Sequence, residues 1–464
     1  MTLARATRAI ALFLAATFAA MGIVADELLG GEPGFGSAQR LLVLVGVGLA
    51  LTSLLPAVWA LRSVLVVAGA GLGILLFEVP LQLFFKPHFT TIYQLDPHLL
   101  LRLVPGSSMY NRRLPVNGGP RNGGRGILMR VNSQGFRGEE LEPRPAGKRI
   151  VVYGDSFILA DFSELENTFV EQLEGKLETA LGEAIEVINA GVNSYGPDQI
   201  SLRLEQEIPC LQPDLVLVSL YAGNDLGDLL RNKIFRLDSR GDLVINRYVL
   251  AAPLVESFRR AQRGLITYRL VREVLNRWKG GEGELDRNAR RYRAHFMESA
   301  LADCEREFLE LPNDNLNGRA SEVSDLFMDH YDADLALDPR GRSSQYKMRL
   351  MEQVVTRMKS TAESLGVSVL LLLIPHPIDV CDGYDLAQVD PARFPEYERS
   401  QLTDVLVRIA LRQGVPYVNL FPEYRARDAN ELYFHGGNDH WNDAGQELAA
   451  EIVKDFILSH ELWR

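Results

Sequence analysis

Ser156 stands in RIVVYGDSFILADF (149–162), where an apolar run ends in Gly154-Asp155-Ser156. A serine hydroxyl attacks a carbonyl only when a base takes its proton, so a catalytic reading of this turn requires a histidine. Of the eight histidines, His88 and His98 lie in an irregular stretch, His295 and His330 in a long insertion, and His460 at the C-terminus. His376, His435 and His440 remain. His440 belongs to GGNDHWNDAGQELAAEIVKDFIL, where a Gly-rich turn leads through Asp439 into a helix expected to bury Leu448, Ile452, Phe456 and Ile457. A serine, a histidine and an adjacent carboxylate are the parts of acyl transfer. Each also has a bland reading, because Gly/Asp/Ser turns follow many strands and Asn/Asp turns cap many helices.

Periodicity indicates the elements that position these residues. RIVVYGD reads as a strand, and NTFVEQLEGKLETAL as a helix with Phe169, Leu173, Leu177 and Leu181 on one face. The strand AIEVINAG, the helix PDQISLRLEQEIPCL and the strand DLVLVSLYAGND follow. Beyond an insertion come the helix QYKMRLMEQVVTRMKSTAESL, the strand VSVLLLLIPHP, another helix and VPYVNLF. Apolar strands alternating with amphipathic helices predict an α/β domain over 149–464 with a parallel sheet covered on both faces. Such sheets take ligands at the carboxyl ends of their strands. The polar clusters 154–156, 189–195, 223–225 and 375–377 all fall there.

Residues 231–345 break the alternation and read as a cap-like insertion: a hairpin in KIFRLDSRGDLVINRYV, then the basic amphipathic helix LVESFRRAQRGLITYRLVREVLNRW. A solvated face is favoured for that helix over contact with lipid headgroups or an anionic glycan. Residues 86–148 form an irregular lead-in with a loop at NGGPRNGGRG (117–126).

Residues 1–85 differ in kind. The segments 9–25 and 41–61 carry no charge and 63–85 contains only Glu78, which predicts a membrane anchor of three transmembrane helices with Arg62 in the tight turn between the second and third. Arg5 and Arg8 precede the first segment and the following loop is acidic apart from Arg40, so the N-terminus is placed in the cytoplasm and everything after Phe85 outside it. A cleaved signal peptide in place of the first span leaves that placement unchanged. Glu78 lies near a span end, which favours solvation over an intramembrane contact. The formal net charge of −11 excludes a nucleic-acid binder, and the three cysteines show no metal-ligand spacing.

At this point the chain resembles a known family, the SGNH (GDSL-type) hydrolases. GDSF, NAGVNSYG, AGND and NDHWN occur in the family's order at the corresponding element ends, and VNSQGFRGEE resembles the lead-in of membrane-attached bacterial members. The resemblance covers roughly 128–464 and implies a flavodoxin-like three-layer α/β/α domain. It also implies Ser156 as nucleophile, His440 as base, and an oxyanion hole from the Ser156 N–H, the Asn224 side chain and a backbone N–H of the second block. No metal or organic cofactor is implied.

Two positions depart from the pattern. The second-block donor, usually glycine, falls on Ser194, with Gly191 as the alternative. The acid usually stands two or three residues before the histidine, where this chain has Asn438 and Gly437. Asp439 can orient His440 only if the loop turns sharply; otherwise the site is a Ser-His dyad held by a backbone carbonyl. Asp155 and Asp225 read as braces of their turns, Arg137 as a surface hairpin residue, His376 and His435 as possible substrate contacts, and Trp441 as packing.

The reading is a multi-pass protein of the bacterial cytoplasmic (inner) membrane with an extracytoplasmic serine esterase domain. Its substrate would be a small acyl ester, with an O-acetyl group on a cell-envelope glycan as the expected case. An O-acyltransferase, which would need a membrane acyl-donor partner, and a catalytically silent glycan-binding protein are the alternatives.

Overall fold

A computed structural model describes the chain except residues 1–2, 24–36, 86–91, 112–125, 144–146, 264, 268–283, 312–319, 325, 385–388, 435–437, 461 and 463–464. His435 and most of the 117–126 loop therefore lie outside the described residues. The chain forms two compact units, one of Met1–Ile92 with Ala252–Gly281, the other of Tyr93–Ala251 with Glu282–Arg464.

The first unit contains helices α1 (Leu3–Ile23), α2 (Ser37–Ser53) and α3 (Ala57–Pro80). Gly46 lets α2 approach α1, since a Cβ there would come within 2.9 Å of the Ala15 carbonyl oxygen. Two helical stretches, Ala4–Ile23 and Ala57–Phe84, are long and apolar enough to cross a membrane, whereas the apolar helix at Gln39–Ser53 is shorter. Among the described residues, two of the three expected spans therefore reach the length needed to cross, and the helix at the place of the second is shorter. The break falls at Pro56, not Arg62, because proline lacks the N–H and restricts the residue before it. Pro56 caps α3, and Arg62 lies within that helix with its guanidinium over the Trp59 ring. Glu78 also departs from expectation: it is buried, and its carboxylate accepts hydrogen bonds from the backbone N–H groups of Ile266 and Thr267, 2.8 Å each.

The second unit is built on five strands: β1 (Lys148–Gly154), β2 (Ile185–Gly191), β3 (Leu215–Tyr221), β4 (Ser368–Ile374) and β5 (Tyr417–Asn419). All pairings are parallel and the order is β5-β4-β3-β1-β2, the 2-1-3-4-5 order of flavodoxin-like doubly wound sheets. The short helix α4 (Ser156–Leu159) follows β1, and α5 (Phe169–Leu181) connects onward to β2. Helix α6 (Pro197–Leu211) joins β2 to β3, and α7 (Asp225–Asn232) follows β3. Helix α10 (Arg342–Ser364) leads into β4, α11 (Gln401–Gln413) into β5, and α12 (Asp443–His460) ends the chain. Helix α5 packs on α12, while α10 packs on α6, α7 and α11. These are the two covering layers that right-handed crossovers demand, since the path from β1 to β2 runs opposite to that from β2 onward.

The apolar positions behave largely as their spacing predicts. Phe169, Leu173 and Leu177 are buried, although Leu181, next to the Gly182 cap, is 37 % exposed. In α12 Leu448 and Ile457 are buried, but Val453 takes the core place expected of Ile452. Within 231–345 the hairpin forms from Phe235–Leu237 and Leu243–Ile245. The basic stretch begins as α8 (Ala252–Arg263) in the first unit, and α9 (Glu284–Leu309) returns to the second.

Candidate active site

Order reversal between β1 and β2 on one side and β3 on the other opens a crevice at the carboxyl ends of β1 and β3. Ser156 follows β1 and Asn224 follows β3. Glycines permit the tight exits: a Cβ on Gly154 would lie 2.2 Å from Ser219 Oγ, and one on Gly223 2.6 Å from His376 Cδ2. Asp155 caps the first turn of α4 by accepting the Phe157 N–H at 2.9 Å. Asp225 accepts the Tyr221 N–H at 2.8 Å. Both carboxylates brace their own turns.

Arg137, read from sequence as a surface residue, is only 4 % exposed. Its guanidinium donates to the Leu159 and Ala160 carbonyls and, at 2.6 Å, to the Ser163 carbonyl, so it fixes the chain just after Ser156. The histidine loop is tied to the same chain. Trp441 Nε1 donates to the Phe157 carbonyl (3.1 Å), Ser163 Oγ to Asp443 (2.6 Å), and Gln446 Nε2 to Ser163 Oγ (2.7 Å). Trp441 is therefore a packing residue, 1 % exposed.

Those anchors bring together residues far apart in sequence. His440 Nε2 lies 2.6 Å from Ser156 Oγ. On the other side of the ring, Nδ1 faces two acceptors, Asn438 Oδ1 at 3.0 Å and Asp439 Oδ1 at 3.1 Å. Asn438 Oδ1 also accepts the His440 backbone N–H at 3.0 Å, which makes the sharp turn that the adjacent Asp439 needs. The Tyr221 hydroxyl donates to Asp439 Oδ2 at 3.0 Å, and the Tyr384 hydroxyl to the Asn438 carbonyl at 2.6 Å. Phe157 stacks on the imidazole with centroids 4.7 Å apart, and Phe162 meets it edge-on.

Electrostatics separates the two candidate histidines among the described residues. At His440 burial opposes the imidazolium, but the Asp439 carboxylate, with Asp161 and Asp155 behind it, outweighs burial and raises the group to about 9. Asp439 is held below the usual carboxylate range: burial opposes its charge, and His440 more than compensates. Burial pushes His376 down to about 4 against the pull of Asp439. His376 Nδ1 accepts the Ile378 N–H at 3.1 Å, which requires that nitrogen to be unprotonated. His376 is thus a neutral, stacked neighbour of Tyr221 rather than a base.

Ser194 and Asn224 stand at the strand ends flanking β1. The Val192 N–H donates to the Gly154 carbonyl at 3.1 Å, which seats the 192–195 turn beside the Gly154–Ser156 turn. Ser194 has φ +60°, the left-handed region where glycine is the unstrained residue. The Gly191 N–H is engaged by Asn189 Oδ1 at 3.0 Å, whereas among the described residues the Ser194 N–H donates no hydrogen bond. A vacant donor at a glycine-like angle therefore exists at Ser194 and not at Gly191. Ser194→Gly should raise stability by about 1 kcal/mol and leave turnover nearly unchanged, measured as Tm and kcat in parallel.

Asn224 is buried, and its carbonyl accepts Asp228 N–H (2.8 Å) and Arg231 Nη2 (3.1 Å). Among the described residues its side-chain amide donates no hydrogen bond, and Oδ1 has no partner. Among the described residues, one group of metal-type ligands occurs elsewhere, at Cys304, Asp332 and Asp334. The Lys347 ammonium sits among them, 2.6 Å from Asp332 and 2.9 Å from Asp334, so the cation place is already filled.

The sequence reading missed three contributors. Tyr221 read as part of an apolar strand, Asn438 as a substitution for the usual acid, and Arg137 as exposed. Their roles depend on contacts across the chain, and only the Asn438–His440 spacing carried a local signal. Chemically, a hydroxyl, an imidazole and a carboxylate in this chain of contacts can move a proton off Oγ and return it to a leaving group.

No family model matches the chain, and no curated protein matches it. Solved structures do. The chain is similar to a lipase/acylhydrolase from Enterococcus faecalis (14 % identity over 68 % of this chain and 96 % of that one, TM-score 0.33). It is also similar to the psychrotrophic esterase EstA from Pseudoalteromonas sp. (12 % identity, 68 % and 98 % covered, TM-score 0.32). A third is an acetylxylan esterase from Geobacillus stearothermophilus (12 % identity, 68 % and 95 % covered, TM-score 0.34).

Proposed function

We propose that the protein is a membrane-anchored, extracytoplasmic serine esterase of the SGNH type that cleaves small acyl esters. The observation that carries the reading is the 2.6 Å approach of His440 Nε2 to Ser156 Oγ, with Nδ1 held by Asp439 and Asn438. In the proposed reaction, His440 takes the Ser156 proton as Oγ attacks the ester carbonyl. The Ser156 and Ser194 N–H groups and the Asn224 amide hold the developing oxyanion. His440 then protonates the departing alcohol, leaving an acyl-serine. A water molecule, deprotonated by His440, attacks that acyl group and regenerates Ser156. The apolar helices support a membrane anchor, and with the shorter α2 crossing as a third span, Arg5 and Arg8 before the first favour a site outside the cytoplasm. An O-acetyl group on an envelope glycan is the substrate class that this compartment favours.

A second acceptor is favoured by one feature. Ser156 is only 9 % exposed, and a site that excludes water can pass the acyl group to a sugar hydroxyl instead.

The test uses the full chain in membranes with a fluorophosphonate probe. Wild type should be labelled, and Ser156→Ala and His440→Ala should not. Absence of labelling in folded wild-type protein would overturn the reading in favour of a catalytically silent fold.

A further inference from the structure

Glu78 is 6 % exposed although its chain neighbours Phe77 and Val79 are 71 % and 50 % exposed. A carboxylate among apolar residues at a membrane span is costly unless it is hydrogen-bonded. Here both oxygens are used, one by the Ile266 N–H and the other by the Thr267 N–H, and Gln82 Nε2 adds a third bond at 2.5 Å. The partners come from a segment far along the chain that belongs to the same compact unit. Glu78 lies six residues before the end of the Ala57–Phe84 stretch, which at about 1.5 Å per residue is about 9 Å. With Ala57–Phe84 read as a span, that offset puts residues 266 and 267 at the depth where interfacial helices rest, about 5–10 Å into the headgroup and acyl boundary.

Helix α8 ends just before this clamp. Its sequence, APLVESFRRAQR, puts Leu254, Val255 and Phe258 at helical spacing on one side, with the exposed Arg259 bordering that side one turn beyond Val255. Leu254, Val255 and Phe258 are only half-buried, while Glu256 and Arg259 are exposed. Three arginines against one glutamate make this helix basic within a chain of net charge −11. An apolar stripe on an arginine-rich helix is the pattern of a helix lying in a membrane surface, and guanidinium groups pair with phosphate in a bidentate way.

We propose that α8 and Leu265–Thr267 form a membrane-docking element, clamped to the outer end of the α3 span by Glu78, that binds anionic phospholipid headgroups. This rests on reading Ala57–Phe84 as a membrane span.

The test reconstitutes the full chain, with Cys210→Ser, into phosphatidylcholine vesicles with or without phosphatidylglycerol. An environment-sensitive fluorophore is placed in turn at Val255→Cys, Glu256→Cys and Leu65→Cys. The label at 255 should be quenched by nitroxide lipids and shielded from aqueous iodide, and the label at 256 should show the reverse. Phosphatidylglycerol should strengthen the lipid quenching at 255, and Arg259→Gln should reduce that gain by roughly five-fold. Iodide access at 255 equal to that at 256, with the Leu65 position shielded by lipid, would overturn the docking element and leave the span intact. Iodide access at position 65 would overturn the span and the proposal together. Lipid quenching at 255 that ignores phosphatidylglycerol would overturn the anionic-lipid preference.

Discussion

Asp439→Asn should lower kcat by about 10²–10⁴ and move the rising limb of the kcat/KM profile to lower pH. A general base works only when neutral, so the wild-type limb follows deprotonation of His440, raised to about 9 by the neighbouring carboxylate against the effect of burial. Removing the negative charge leaves burial, which lowers the imidazole, and the limb must then shift toward acid. The size of the shift is tempered by solvent, since the Asp439 side chain is 37 % exposed. Asn438 continues to accept from Nδ1 in the variant, which places the expected loss nearer the lower end of the range. Hydrolysis of a short-chain chromogenic ester between pH 5 and 10 measures both quantities. Tyr221→Phe serves as the control, because it removes a hydrogen bond to Asp439 and leaves the charge in place. A limb that does not move in Asp439→Asn would mean that the carboxylate does not couple to the base, and the site would reduce to a Ser-His dyad held by Asn438.

Strand ends, the order of the polar clusters and the amphipathic helices are local, and they were legible: β1, β2, β3 and β4 close on the clusters read from sequence, and Ser156 meets His440. The angle at Ser194 was foreseeable because glycine is the usual residue at that place in the resemblance, and φ +60° is a glycine angle. Burial decided by tertiary packing was not legible. Arg137 has the composition of a surface residue, yet its backbone bridges to Asn189 at the end of β2 and its guanidinium donates to three carbonyls after Ser156. Hydropathy also missed Pro56, because a proline inside an uncharged run does not change the average while it ends the helix. Glu78 found its partners in residues 266 and 267, a contact no window along the sequence could contain.

Asn224→Ala should lower kcat by about 10²–10³ while KM changes little, since a donor to the oxyanion acts on the transition state and hardly at all on the bound ester. The position allows function to be separated from folding. An asparagine at a helix N-cap normally contributes about 1 kcal/mol through its side-chain oxygen, but the Asn224 side chain makes no cap hydrogen bond with α7. Its backbone carbonyl does the structural work, accepting from Asp228 N and Arg231 Nη2, and alanine keeps that carbonyl. The buried Oδ1, unpartnered among the described residues, is a small cost that alanine relieves. Tm should therefore stay within a few degrees of wild type while turnover collapses. Asn224→Asp should be slower still, because a carboxylate beside the developing oxyanion repels it. Equal turnover in Asn224→Ala and wild type would remove Asn224 from the oxyanion hole, and a joint fall of Tm and kcat would make it a structural residue.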